Sequence, residues 1–497
     1  MTEYVCAIDQ GTTGTRALVV DQDGRILATA YQTHEQHYPR PGWVEHDPME
    51  IWTAVTAVID EVLERARIET IELAAIGITN QRETTVLWDA DTGAPVERAI
   101  VWQDRRTSDR IDELADQADR IRARTGLEPD AYFSASKLEW LLDAGGPTRR
   151  RRAERGDLKA GTIDSWLLAR LTGVHATDVT NASRTMLFDI EACRWDDELL
   201  AEFDIPRTIL PSVHASMDPT AYGKTDPAGP LGAEVPVTGV LGDQQAALVG
   251  QTCFTAGEAK NTYGTGSFVL MHTGTEAVPS DHGLLTTIAY QQAGEPVRYA
   301  LEGSIFVTGA AVEWLVDVGL LEEAAESEAV ASEVDGTDGV VFVPAFTGLG
   351  APHWDQRARG TIVGMTRGTS RGHIVRAALE SIAYLTRDVI EAMTADANVD
   401  VRRLSVDGGA VQNDLLCQLQ ADVLGVPIDR PVVEETTGVG AAYAAGLAVG
   451  YWADTDELSA HVAIDRSFSP EADQDRVNRN YDRWRAAVER ASDWATE

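Results

Sequence analysis

A turn of small residues set between two apolar runs restricts the fold most, and it occurs twice. Residues 4–8 and 16–20 are largely apolar, and Asp9-Gln10-Gly11-Thr12-Thr13-Gly14-Thr15 joins them. Residues 259–271 repeat the pattern around Asn261-Thr262-Tyr263-Gly264-Thr265-Gly266-Ser267. A strand without polar alternation is buried on both faces, so it needs helices on both sides of its sheet. The expectation is an α/β protein of two similar halves.

The other elements follow the same logic. Asp21-Gln22-Asp23-Gly24 is a turn into a third strand at 25–30. Asp47-Pro48 opens a helix with an acidic cap and proline in its first turn; Ile51, Trp52, Val55, Val58, Ile59 and Val62 keep helical spacing. Residues 73–79 and 86–88 read as strands, 161–173 as a strand end and a short helix, and 232–241 as a strand ending at Gly242-Asp243. After residue 250 come strands at 284–290 and 297–301 and helices at 309–320 and 370–393. A strand at 404–406 then turns through Asp407-Gly408-Gly409 into a helix. A length of 497 residues suits two large domains, placed at 1–250 and 251–497.

Charge narrows the partners. Acidic residues number 79 and basic ones 42, a formal charge of −37. Such a surface repels phosphate backbones and anionic membranes, so nucleic acid is not an expected partner. Lysine is nearly absent: Lys137, Lys159, Lys224 and Lys260 stand against 38 arginines. Excess carboxylate with little lysine points to a protein that works in concentrated salt, where self-repulsion is screened within a few ångströms. Cys6, Cys193, Cys253 and Cys417 are scattered and fit a reducing cytoplasm. No secretory signal, membrane span or zinc-ligand spacing is read.

Three small-residue turns are candidate phosphate sites. In the first, backbone N–H groups, the hydroxyls of Thr12 and Thr13, and Arg16 can face an anion, with Asp9 placed for Mg²⁺. The second holds Thr265; the third is Asp407-Gly408-Gly409-Ala410-Val411-Gln412-Asn413. The first is equally well a plain turn, and each of the others alone is more often one. Asp243 stands at a strand mouth and is either a helix cap or a general base; position alone favours the cap. Arg82 and Glu83 are either a solvated hairpin turn or the donors and acceptor that fix a small polyol. Trp102 and Tyr132 read as core aromatics, Arg149 to Arg152 as a solvated face, and Asp164 as part of an ordinary capped helix.

The segments DQGTTGTR, GITNQRET, PGWVEHDPMEIW, IVWQDRRT, TNASRTMLFDI, GDQQAALVGQ, KNTYGTGSF, VPAFTGLGAPHWD and VDGGAVQND, in this order, resemble the FGGY carbohydrate kinases, specifically the members acting on glycerol. The resemblance implies the two-lobed actin/hexokinase/Hsp70-like ATPase fold, with ribonuclease H-like duplicated domains and a cleft between them. It implies ATP- and Mg²⁺-dependent phosphorylation of glycerol to sn-glycerol 3-phosphate in a soluble homo-oligomer, a dimer or tetramer. By resemblance Asp243 is the base. Arg82, Glu83, Tyr132, Asp243 and Gln244 bind glycerol hydroxyls, and Trp102 and Phe268 press on its carbons. Thr12, Thr13, Gly14 and Arg16 face phosphates; Thr265, Gly309, Glu313, Gly409 and Asn413 face the nucleotide; Asp9 and Asp243 lie near Mg²⁺.

Departures from the family pattern are also read. Gly14 replaces a usual serine, which removes one phosphate-facing hydroxyl, and Glu313 replaces a frequent glutamine near the adenine. The stretch 225–235 has no arginine, and no histidine lies between His214 and His272, so neither bisphosphate inhibition nor loop-histidine phosphorylation is expected. The alternative within the family is a kinase for another polyol or sugar; outside it, an ATPase that phosphorylates no alcohol.

Overall fold

In the computed structural model, which describes residues 3–495, strand Tyr4–Gln10 lies at the centre of a five-stranded sheet. It pairs antiparallel with Gly14–Val20, which pairs with Ile26–Thr33, and parallel with Leu73–Asn80, which pairs with Val237–Gly242. The apolar run explains the placement, because alternate side chains feed two different cores. Cys6 and Ile8 pack with Ile51, Val55, Val58 and Val62 of helix Pro48–Ala66, while Val5 and Ala7 pack with Val439, Ala441 and Ala445. Burying each large aliphatic chain stabilises the sheet by about 1.5–3 kcal/mol. Asp47 caps helix Pro48–Ala66, its carboxylate accepting from the N–H of Met49 at 2.8 Å, and proline opens the first turn.

The second sheet repeats this plan. Strand Glu258–Tyr263 pairs antiparallel with Ser267–Gly274, which pairs with Arg298–Ile305, and parallel with Arg403–Asp407. Leu285–Tyr290 extends one edge; Ile428–Pro431 and Ile464–Phe468 extend the other. Helix Arg371–Ala397 buries Val375, Leu379, Ile382 and Val389 in this half's core.

Two readings of the sequence are corrected here. Residues 81–84 are not a solvated hairpin turn. Strand Leu73–Asn80 belongs to the five-stranded sheet, whereas Thr85–Asp89 belongs to a separate four-stranded sheet with Glu45–His46, Ala99–Ile100 and Leu158–Thr162. The link between them is sealed, with Arg82 2% and Glu83 1% exposed. Asp164 does not cap its helix: Thr162 is the N-cap, and Asp164 is buried in the first turn, accepting from Thr162 Oγ1 at 2.5 Å and Thr177 Oγ1 at 2.6 Å.

The halves also interlock beyond residue 250. Helix Thr436–Ala448, late in the chain, lies against the first sheet and helix Asp243–Gly250. Its approach is close enough to demand glycine. A Cβ on Gly77 would fall 2.0 Å from the carbonyl oxygen of Ala441, and one on Gly440 1.8 Å from that of Ala246.

Candidate active site

The first small-residue turn ends strand Tyr4–Gln10 and begins Gly14–Val20, so Asp9 and Arg16 are cross-strand partners. Arg16 forms an ion pair with Glu435, the residue before helix Thr436–Ala448, and its guanidinium lies 5.3 Å from the ring centroid of Tyr31. Tyr31 also accounts for Gly14. A Cβ at position 14 would stand 2.6 Å from Tyr31 Oη and 2.6 Å from the carbonyl oxygen of Gln32. The phenol fills the space a serine side chain would need, with its hydroxyl 3.4 Å from Thr13 Oγ1. Burial lifts the carboxyl of Asp9 to about 7; Arg16 opposes this, and Asp243 and Glu435 add to it.

The second-half segments also converge. The N–H of Gly309 donates to Gly264 at 3.0 Å, and those of Thr308 and Ala310 donate to Thr265 at 2.8 and 3.1 Å. Gly408, at φ +91, brings the third turn against Tyr263, where a Cβ would meet the Tyr263 carbonyl at 2.2 Å. Gly409 is exposed in a short 3-10 turn, and the α-helix begins at Asp414, after the turn read at 407–413. Asn413 caps that helix through Leu416 at 2.8 Å and donates to Ser327 Oγ at 3.1 Å. Glu313 is exposed on helix Gly309–Asp317.

Between these segments lies a cluster of buried charge. Arg82 donates to Glu302 through Nη1 at 2.5 Å and Nη2 at 3.1 Å; its Nε is 3.1 Å from Asp243 and 3.8 Å from Glu83. Arg184 donates to Glu83 at 2.8 Å and to Glu302 at 2.9 Å. Burial alone would push the Glu302 carboxyl up, but Arg184 and Arg82 outweigh it and hold it at about 2. For Glu83 and Asp243 burial wins, and both lie above the usual carboxylate range. Glu83 and Glu302 have side chains 1% and 0% exposed, whereas that of Asp243 is 29% exposed. Asp243 is therefore the carboxylate of this group that solvent, or a ligand, can reach. The N-cap of its helix is Gly242, not Asp243, which corrects the cap reading.

The aromatic residues close over the cluster. Trp102 and Tyr132 meet edge to face at 5.6 Å, and Phe268 has the Arg82 guanidinium 6.0 Å from its ring centroid. Arg82 Nη2 donates to Tyr132 Oη at 3.5 Å. Trp102 and Tyr132 are half-buried, not core. Glu83 has φ +62, a conformation costly for a residue with a side chain. It is held there by Ser134 Oγ and Thr85 Oγ1, which donate to its carbonyl at 2.9 and 3.0 Å. Arg82 Nε and Arg184 Nη1 are buried without a hydrogen-bond acceptor.

Gln244 turns its side chain to Lys260, whose Nζ donates to Gln244 Oε1 at 2.5 Å. Sequence reasoning missed Arg184, Glu302 and Lys260 as members of this site. Arg149 to Arg152 is not simply a solvated face: only Arg151 is exposed, while Arg149 pairs with Glu97, Arg150 with Asp143 and Arg152 with Asp89, their side chains 15%, 16% and 33% exposed.

Two similar sheets and small-residue turns from both halves meet around a partly exposed carboxylate beside buried arginines. The chain matches the FGGY family of carbohydrate kinases, N-terminal domain, over residues 4–250 and the C-terminal domain over residues 259–449. It is 63% identical to the glycerol kinase of Haloferax volcanii and 62% identical to that of Halobacterium salinarum, each comparison covering 99% of both chains. The solved structure of Plasmodium falciparum glycerol kinase with ADP superposes with a TM-score of 0.93 at 37% identity, over 98% of both chains. The chain belongs to the FGGY family of carbohydrate kinases.

Proposed function

We propose that the chain transfers the terminal phosphoryl group of ATP to a primary hydroxyl of glycerol, giving sn-glycerol 3-phosphate and ADP. The observation that carries this reading is the partial exposure of Asp243 while Glu83 and Glu302 are sealed around the same arginines. The full-length likeness to proteins named glycerol kinase supports the choice of acceptor.

In this reading Asp243 takes the proton of the attacking hydroxyl as the new O–P bond forms and the bond to ADP breaks. Arg184 Nη1, which has no acceptor, and Arg82, whose Nε is ion-paired with Asp243, donate to the acceptor's oxygens, and Glu83 accepts from a hydroxyl. Trp102, Tyr132 and Phe268 cover its carbons and exclude water. Thr12, Thr13 and Arg16 face the phosphates from the first half, and Thr265, Gly309 and Gly409 from the second, so that charge developing on the transferred group meets fixed donors. Asn413 and Glu313 border the nucleotide.

Asp9 and Asp243 fit a magnesium ion. Asp243 adds to the lifting of the Asp9 carboxyl, and carboxylates are hard oxygen donors of the kind magnesium takes. When bound, the ion neutralises charge on the phosphates. The reading places the enzyme in a salt-rich cytoplasm, consistent with its composition and its four free cysteines, and in a homo-oligomer. Among the described residues no helix is long and apolar enough to cross a membrane.

A coupled ADP-release assay over glycerol, xylulose and gluconate, at high and low potassium chloride, tests the reading. Glycerol is expected to have the highest kcat/KM; ADP release that needs no alcohol would sink it.

A further inference from the structure

The chain has almost exchanged lysine for arginine, and the four exceptions divide cleanly. Lys224 is exposed beside Glu234, and Lys159 is half-buried with its Nζ 3.2 Å from the Thr208 carbonyl. Lys137 and Lys260 are 0% exposed. These two also share a coordination pattern. Lys137, on helix Ser134–Ala144, donates to the carbonyls of Ala131, Tyr132 and Phe133, the latter two at 2.6 and 3.1 Å. Lys260, on strand Glu258–Tyr263, donates to Gln244 Oε1 at 2.5 Å, Thr262 Oγ1 at 3.0 Å and the Phe268 carbonyl at 3.3 Å.

An ammonium carries three N–H donors pointing apart, and each of these sites supplies three acceptors. A guanidinium is larger, planar and carries five donors in a fork. In either sealed site it would leave donors without acceptors, at a cost in free energy for each. That explains why lysine survives at these positions in a chain otherwise built with arginine. Burial pulls the Lys137 ammonium down to about 7, with Glu83, Asp130 and Asp104 opposing, and that of Lys260 to about 8, with Asp407, Glu302 and Asp243 opposing.

The groups the two lysines grip are the walls of the acceptor pocket. Lys137 gathers the backbone turn that carries Tyr132. Lys260 fixes the Gln244 side chain, next to Asp243, and the backbone of Phe268, opposite Arg82. We propose that Lys137 and Lys260 are positioning residues for the alcohol acceptor, each setting one wall of the pocket from outside it and neither replaceable by arginine. This rests on the phosphotransferase reading above and deepens it.

The test uses the full-length protein in concentrated salt, with KM for acceptor and ATP measured separately beside kcat and the thermal midpoint. Lys260→Met and Lys260→Arg are both expected to raise acceptor KM about tenfold, as for loss of one charged hydrogen bond, with ATP KM within about twofold. Lys137→Arg is expected to do the same. Lys159→Arg and Lys224→Arg should match the wild type, showing that arginine is tolerated where lysine is not sealed. Thr262→Val removes one acceptor of Lys260 without emptying the site, and keeps the test open if a lysine variant does not fold; a smaller rise in acceptor KM alone is expected. Wild-type acceptor KM in Lys260→Arg, in Lys137→Arg or in Thr262→Val overturns the proposal, as does a uniform loss of kcat and both KM values that tracks the thermal midpoint. If the wild type prefers another alcohol, the assay runs on that alcohol, which separates failure of this proposal from failure of the glycerol assignment.

Discussion

The indole N–H of Trp102 donates to the hydroxyl of Thr12 at 2.9 Å. In the proposed reading, one side chain thereby belongs to both the aromatic cover of the acceptor and the turn assigned to the phosphates. The backbone of Trp102 is tied in turn to Thr84 Oγ1 at 3.2 Å, beside Glu83. One continuous network therefore links the two proposed positions, of acceptor and of phosphoryl donor. Trp102→Phe keeps an apolar wall but removes the donor. Loss of one hydrogen bond, about 0.5–1.5 kcal/mol, should lower kcat/KM roughly 2- to 10-fold. Steady-state kinetics check this, and an unchanged value would uncouple the turn from the pocket.

Asp243→Asn should reduce kcat by about 10²–10⁴ while the affinity for ADP, measured by calorimetry, stays near wild type. The pH profile gives a second reading. A base must be deprotonated, so activity falls as pH drops through its pKa. Burial raises that pKa, with Arg82 opposing, so the acid limb of kcat/KM should lie above the ~3.9 of a free aspartate. A limb at or below that value would remove Asp243 from the role.

Glu302 holds two buried arginines together: it is the carboxylate nearest Arg82, and it shares Arg184 with Glu83. Glu302→Gln leaves Arg82 and Arg184 with one fewer buried counter-charge. The expected cost is about 3–5 kcal/mol of folding stability, read from denaturant midpoints in concentrated salt.

Gly440→Ala places a Cβ 1.8 Å from the carbonyl oxygen of Ala246, a backbone atom that cannot step aside. A loss of about 1–3 kcal/mol or more is expected by thermal unfolding. Gly450→Ala would meet nothing within 4 Å, though its φ of +70 disfavours a side chain, so its smaller penalty separates strain from collision.

Dilution from molar potassium chloride to about 0.1 M lengthens the screening distance from about 3 Å to about 10 Å. With a formal charge of −37, the folded state should then lose stability, seen as a falling thermal midpoint. A midpoint indifferent to salt would contradict the halophilic reading.

The hairpin of each half was legible in the sequence because a buried strand writes itself as an apolar run and a tight turn as glycine and threonine. Arg82 and Glu83 were visible as a charged pair, but their burial was not. An isolated pair looks the same on a hairpin tip as in a link between two sheets. Arg184 and Glu302 left no local trace: their contacts reach 101, 118 and 220 residues along the chain, and no periodicity encodes such distances. Lys260 did leave a signal. A rare residue type inside the repeated hairpin motif marks a position where the abundant substitute fails. Tyr31 was hidden because its contact with Gly14 depends on strand register, which pairs Arg16 with Tyr31.

The glycine-lined contact of helix Thr436–Ala448 with helix Asp243–Gly250 has a mechanical consequence. Main chain rests on main chain there, with no long side chains to bend or repack. Pulling the two helices apart would open a void that nothing nearby can fill, which dense interiors resist. Any widening of the mouth around Asp243 must then proceed as a rotation about this seam, with the seam as its axle and the far rims of the two sheets travelling furthest.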